Sequence, residues 1–221
     1  MPVSLSKIQS DTLVTLLGAG QLNPADLAES LSIAPLLVAA DGGADTALAL
    51  GHRPSAVIGD LDSLSKRAHA DLPGDTFIQV PEQESTDFQK ALSRIVAPGV
   101  LALGLTGGRS DHELAAWHVL LAEPAPRCIV VAQMDIVFLC PAELCLDLPV
   151  GTRVSLFPMA PVTGRSEGLE WPIDGLSFAP GRRIGTSNRT CRARLRLTMD
   201  AAAMLVILPK AHLKTVCAAL F

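Results

Sequence analysis

The chain has 221 residues, 49% of them hydrophobic, which is enough for one large domain or two small ones with a buried core and no cross-links. Its 18 Lys and Arg stand against 22 Asp and Glu, and the resulting charge of −4 argues against nucleic-acid binding as its main business. Five cysteines with no CxxC pair and no zinc spacing fit reduced thiols in a cytoplasmic protein, and no stretch reads as an export signal or a membrane anchor.

Up to about residue 128, short apolar runs alternate with helical patterns, as parallel βαβ units do. Strands are predicted at 13–17, 36–40, 56–58, 76–80, 100–105 and 128–132, each apolar on both faces as a sheet covered by helices requires. Between them Phe88, Ala91, Leu92, Ile95 and Val96 fall at i, i+3, i+4, i+7 and i+8 and predict one helix, stopped by Pro98 and Gly99. Ser110 and Glu113 predict a capping box opening a second helix, with Leu114, Trp117, His118 and Leu121 as its buried stripe. Beyond about residue 141 the helical period disappears. Strands are predicted at 152–157, 191–198 and 204–208, with a hairpin around Met199, Asp200 and Ala201. Arg192, Arg194 and Arg196 alternate along one strand and read as a solvated face.

The acids collect where these strands end. Asp41 follows the strand at 36–40, and Asp60 and Asp62 follow the strand at 56–58. In an open α/β sheet the crevice beyond the carboxyl ends binds ligands, so these segments are predicted to converge. Gly42 and Gly43 beside Asp41, and Gly59 beside Asp60, allow sharp turns and close approach. Thr86 and Asp87 open the next helix, whose free N–H groups suit a phosphate. Carboxylates gathered this closely need a cation, and oxygen ligands without His or Cys favour Mg²⁺. A fourth segment, Gly104 to His112, runs from a strand end through glycines to a helix start, where Arg109 can fork onto phosphate oxygens. Singly, each feature has a structural explanation: Asp87 or Asp111 as a helix cap, the glycine pairs as turns, His112 as packing. Together they predict a Mg²⁺-dependent phosphoryl or nucleotidyl transferase. Gly18-Ala19-Gly20 lacks the third glycine of a dinucleotide fingerprint and any Gly-Lys-Ser/Thr ending.

That ordered set resembles the thiamine pyrophosphokinase family. The carrying motifs are Ala40-Asp41-Gly42-Gly43-Ala44, Gly59-Asp60-Leu61-Asp62-Ser63, Ser85-Thr86-Asp87-Phe88-Gln89-Lys90-Ala91-Leu92 and Gly107-Gly108-Arg109-Ser110-Asp111-His112. Gly151 to Leu156 and Gly185-Thr186-Ser187-Asn188 extend the likeness, which runs roughly over residues 36–208. The resemblance implies an α/β nucleotide-binding domain, here 1–140, followed by a β-sandwich domain, here 141–221, that binds thiamine and dimerises. It implies transfer of the diphosphate of ATP to the hydroxyl of thiamine, giving thiamine diphosphate and AMP, in a homodimer with thiamine between subunits. By matching position, Asp41, Asp60, Asp62 and Asp87 fall to Mg²⁺. Gly42, Gly43, Thr86, Arg109, Asp111 and His112 fall to ATP, and Gln83, Ser187 and Asn188 to thiamine. The implied catalytic group is Asp60, Asp62, Asp87 and Arg109. Three positions depart from the family pattern: Gln83 where many bacterial members carry Lys, Glu84 in place of Asp, and Ala116 in place of Asn. The competing readings are a pyrophosphokinase for another small alcohol and a metal-dependent phosphoesterase. Asp111-His112 has a superficial Asp-His-His look, but Glu113 follows.

Overall fold

Tetrapeptides such as VTLL and VLAL, apolar on both faces, are stable only when both sides of the sheet are covered, and that need organises the first half of the chain. The computed structural model describes residues 7–221 and divides into two compact units between Gln133 and Met134. Among the described residues, no helix is long and apolar enough to cross a membrane.

The first unit runs β1 (Ile8–Gln9), β2 (Val14–Leu17), α1 (Pro24–Ile33), β3 (Leu36–Ala40), α2 (Gly43–Ala49), β4 (Ala56–Gly59) and α3 (Lys66–Asp71). It continues with β5 (Phe77–Gln79), α4 (Asp87–Leu92), β6 (Ile95–Val96), β7 (Val100–Leu103), α5 (Ser110–Ala122) and β8 (Cys128–Val131). All six predicted strands form, within one or two residues of their expected ends. They pair in parallel in the order β8-β7-β2-β3-β4-β5. The chain walks outward from β2 to β5 and then returns to β2's other side with β7, so the strand order reverses between β2 and β7. At such a reversal the loops diverge and leave a crevice.

Local chemistry sets the helix starts. Asn23 accepts from the Ala25 amide at 3.0 Å with Pro24 in the first turn, Ser65 accepts from Ala68 at 3.1 Å, and Thr86 accepts from Gln89 at 3.3 Å. The helix predicted to run to Val96 instead stops at Leu92. Its last two apolar positions, the β-branched Ile95 and Val96, pair in parallel with Ile8 and Gln9, and Ile8 N–H donates to Arg94 O at 2.8 Å. In α5 the buried residues are Ala116, Val119 and Leu120, while Leu114 of the predicted stripe is 68% exposed. Apolar residues occur nearly all round this helix, so their period did not choose a face. The capping box is also absent: Glu113 accepts from the Gly107 amide at 3.2 Å, and Ser110 does not cap.

The second unit runs β9 (Asp135–Leu139), β10 (Glu143–Asp147), β11 (Arg153–Pro158), β12 (Val162–Glu167), β13 (Ser177–Phe178), β14 (Gly185–Arg189), β15 (Arg194–Met199), β16 (Met204–Pro209) and α6 (Leu213–Leu220). Its strands are antiparallel in two runs of four, β14-β11-β16-β9 and β10-β15-β12-β13. The predicted hairpin between β15 and β16 does not exist, because the two strands lie in different runs. Asp200 instead accepts from Thr163 N–H and Oγ1, both at 2.8 Å, which docks the connection onto β12. The expected solvated arginine face holds: Arg194 and Arg196 are exposed while Leu195 and Leu197 are buried, and Arg194 pairs with Asp147 across the ladder. α6 was not foreseen, although its buried Leu213, Val216, Cys217 and Leu220 have helical spacing. Of the cysteines, Cys128, Cys140 and Cys217 are buried and Cys145 and Cys191 exposed, and none forms a disulfide.

The start of α2 shows how tightly the first unit is built. A Cβ on Gly43 would collide with the carbonyl of Leu17 at the end of β2, so the helix can approach the sheet only without a side chain there. Gly43→Ala is expected to lower unfolding free energy by about 1–3 kcal/mol, the usual cost of overpacking. Urea denaturation of the two proteins checks this, and equal midpoints would show that α2 moves aside freely.

Candidate active site

Asp41 sits one residue past β3, in left-handed backbone (φ 41°), with its N–H donating to Ile58 O on β4 at 2.9 Å. A Cβ on Gly59 would lie 2.8 Å from that of Asp41, so the glycine at the end of β4 makes room for the aspartate. Asp60 follows directly, and Asp87 opens α4, which packs on β3 and β4. Each of Asp41, Asp60 and Asp87 offers a carboxylate oxygen within 4.8 Å of the others, an arrangement that could hold a metal ion.

The electrostatics of the three differ. Asp41 is 3% exposed, and its Oδ1 is buried without a hydrogen-bond partner. Burial raises its pKa above the usual range, the Ser63 hydroxyl partly opposes this, and Asp87, Asp60 and Asp62 push upward. Asp60 goes the other way, down to about 2, because Lys90 Nζ donates to its Oδ2 at 3.0 Å and Gln83 Nε2 donates to the same oxygen at 2.9 Å. Lys90 also donates to Asp87 Oδ1 at 3.2 Å. Burial pulls the lysine's pKa down, but its two carboxylate partners outweigh this and leave it raised.

These residues border a cleft of about 570 Å³ at the strand reversal, a volume suited to a small ligand. Its floor is main chain. Gly18, Ala19 and Gly20 after β2 lie against Gly104 after β7, where a Cβ on Gly18 would come within 2.6 Å of Gly104 O. Of the expected site residues, Asp41, Gly42, Asp60, Gln83, Thr86, Asp87, Arg109 and His112 line the cleft. Gly43 does not, being packed on β2. Asp62 is exposed beside the carboxylate group but outside its set of three, with Ser63 Oγ donating to it at 3.0 Å. Asp111 is exposed and forms a two-pronged pair with Arg109 at 3.1 and 2.6 Å, which draws its pKa down to about 2.

Ser187 and Asn188 belong to the second unit. Ser187 is exposed in left-handed backbone (φ 61°), and its N–H donates to Ser155 Oγ at 3.0 Å. Asn188 is buried, donating from Nδ2 to Trp171 O at 2.7 Å and accepting at Oδ1 from the amides of Trp171 and Arg189. Its amide therefore ties β14 to the Trp171 segment. Sequence reasoning gave no role to Lys90 or to the glycine floor. The floor had a signal, a Gly-x-Gly directly after an apolar strand. Lys90 had only its place three residues after Asp87, which by itself suggests a surface ion pair.

An open parallel sheet with three carboxylates and a cleft at its strand reversal defines a candidate group-transfer site. Residues 27–131 match the family described as thiamin pyrophosphokinase, catalytic domain. A thiamine pyrophosphokinase of Oryza sativa subsp. japonica is 28% identical over 202 residues, covering 76% of each chain. Among solved structures, thiamin pyrophosphokinase from Candida albicans superposes with a TM-score of 0.75 at 16% identity, over 95% of this chain and 94% of that one. The enzyme of Geobacillus thermodenitrificans gives 0.71 at 21% identity, over 89% and 96%. At such identities the superpositions show the fold, and the sequence matches carry the kinship. The chain is similar in sequence to thiamine pyrophosphokinases, in the catalytic domain above all, and it shares their fold.

The raised pKa of Asp41 makes a signed prediction for the metal-free protein. Between the unfolded value near 3.8 and the higher folded value, the folded state binds the extra proton, so Asp41 costs stability as pH rises through that window. Asp41→Asn is therefore expected to stabilise the protein in EDTA at pH 7.5, with a gain that shrinks as pH falls toward 4. Denaturation midpoints at several pH values test this, and a variant less stable at pH 7.5 than at pH 4, relative to wild type, would refute it.

Proposed function

We propose that this chain transfers the diphosphate group of ATP to the hydroxyl of thiamine, releasing AMP, with Mg²⁺ held by Asp41, Asp60 and Asp87. The observation that carries the reading is the buried, unpartnered Asp41 Oδ1 beside the oxygens of Asp60 and Asp87 at the mouth of the cleft. A buried carboxylate oxygen without a donor is costly unless a cation meets it, and a set of oxygens alone suits Mg²⁺. Bound there, the ion would offset the negative charge of the phosphate oxygens.

The protein's own part is positioning. Gly42 and Thr86, at the turns after β3 and before α4, lie where main chain can approach phosphates, and Arg109 and His112 line the facing wall. Arg109 is exposed and pairs with the exposed Asp111, so its guanidinium can exchange that partner for phosphate oxygens. The thiamine hydroxyl oxygen attacks the β-phosphorus, the bond from that phosphorus to the α,β-bridging oxygen breaks, and AMP leaves. We assign Asp62 or Asp87 to receive the hydroxyl proton.

For thiamine we assign Ser187, with Gln83 on the carboxylate side. The homodimer implied by the family likeness is supported by exposed apolar residues near Ser187: Phe157, Trp171 and Ile184 are 37%, 55% and 45% exposed. Asn188 is assigned to holding this loop, since its amide is engaged with Trp171.

Two measurements follow. With thiamine, ATP and Mg²⁺, product analysis by mass spectrometry is expected to give thiamine diphosphate and AMP in equal amounts. ADP with thiamine monophosphate as the only products would reject transfer from the β-position. Ser187→Ala is expected to raise KM for thiamine about two- to tenfold, the worth of one neutral hydrogen bond, and to leave KM for ATP nearly unchanged. An unaltered thiamine KM would remove Ser187 from the substrate's surroundings.

A further inference from the structure

Lys90 is unusual in its depth. It is 2% exposed, whereas the side chains of its partners Asp60 and Asp87 are 14% and 40% exposed, so the lysine is the least accessible member of the charged group that lines the cleft. Its stem comes from α4, whose neighbouring Phe88, Ala91 and Leu92 are buried, and the charge is fixed in place by the fold. Lysine is almost never buried so fully without ionic partners, and here Nζ reaches two, at 3.0 and 3.2 Å.

Carboxylates with oxygens less than 5 Å apart repel one another strongly where water screens them poorly. One permanent positive charge among them lets the group assemble when no other cation is present. The same charge competes with any divalent ion for Asp60 and Asp87, so an ion arriving alone finds its ligands partly neutralised. An ion arriving on a polyphosphate adds its own oxygen ligands and is less dependent on those two. Resting on the reading of Asp41, Asp60 and Asp87 as metal ligands, we infer that Lys90 is a positioning residue. It acts as a built-in counter-ion that keeps the carboxylates assembled without metal and weakens divalent-ion capture in the absence of nucleotide.

The test uses the full chain and Mn²⁺ as the probe, with free Mn²⁺ followed by electron paramagnetic resonance and stability by thermal melting in EDTA. Lys90→Met is expected to bind Mn²⁺ without nucleotide at least tenfold more tightly than wild type. It should melt lower than wild type in EDTA and recover more than wild type when Mn²⁺ is added. Lys90→Arg, which keeps the charge, should bind nucleotide-free Mn²⁺ within about threefold of wild type. A residue that merely packs α4 would give a melting loss that Mn²⁺ does not repair. Unchanged or weaker Mn²⁺ affinity in Lys90→Met overturns the proposal. If Lys90→Met does not fold in EDTA, folding on addition of Mn²⁺ supports it. If Lys90→Met folds under neither condition, Lys90→Gln is judged by the same two criteria, and failure of both variants to fold with Mn²⁺ also overturns it. Asp41→Asn in the Lys90→Met background separates the two layers: if the double variant keeps the single variant's nucleotide-free Mn²⁺ affinity, the metal-ligand reading itself falls.

Discussion

Mutual repulsion among Asp41, Asp60 and Asp87 is the constraint around which the first unit is organised. A parallel sheet brings the ends of β3 and β4 side by side, and α4 returns Asp87 to the same edge, so covalent connectivity forces like charges together. The fold offsets this with unequal means. Asp60 receives three donors, from Lys90, Gln83 and the Asp62 amide, Asp87 shares the lysine, and Asp41 receives none at Oδ1. The imbalance makes Asp41 the carboxylate with most to gain from an added cation.

The same edge explains the local backbone. Asp41 is left-handed and Gly59 lacks a side chain because two chains must turn past each other within a few ångströms while one delivers a carboxylate. Strain here is tolerated because it lies over a sheet whose strands are almost fully buried.

How far the molecule could be read from its sequence varied with burial. Strands covered on both faces announce themselves, and β2, β3, β4, β7 and β8 were legible for that reason. In the second unit β12 reads VTGRSE and β14 reads GTSNR, polar runs whose pairing is decided by neighbours distant in sequence. Ile95 and Val96 continued the helical period of α4 and yet went to a strand, since the partner that captured them, Ile8–Gln9, lies far upstream. Within the site, the carboxylates were legible from their positions after strands. Lys90 was not, because depth is a property of the folded helix and one-letter spacing gives only its nearness to Asp87. Asn188 was legible as a motif member, but its hydrogen bonds to Trp171 give it a structural task.

The main-chain floor at Gly18, Gly20 and Gly104 bears on how the cleft can change over evolutionary time. Side chains added at these positions would strike the opposite loop's backbone, so the floor is closed to gradual variation by point substitution. A lineage altering what this cleft accepts must work from its side-chain lining, where exposed residues such as Arg109 and His112 can be replaced one at a time. Divergence should therefore accumulate on one side of the cleft and stay nearly silent on the other.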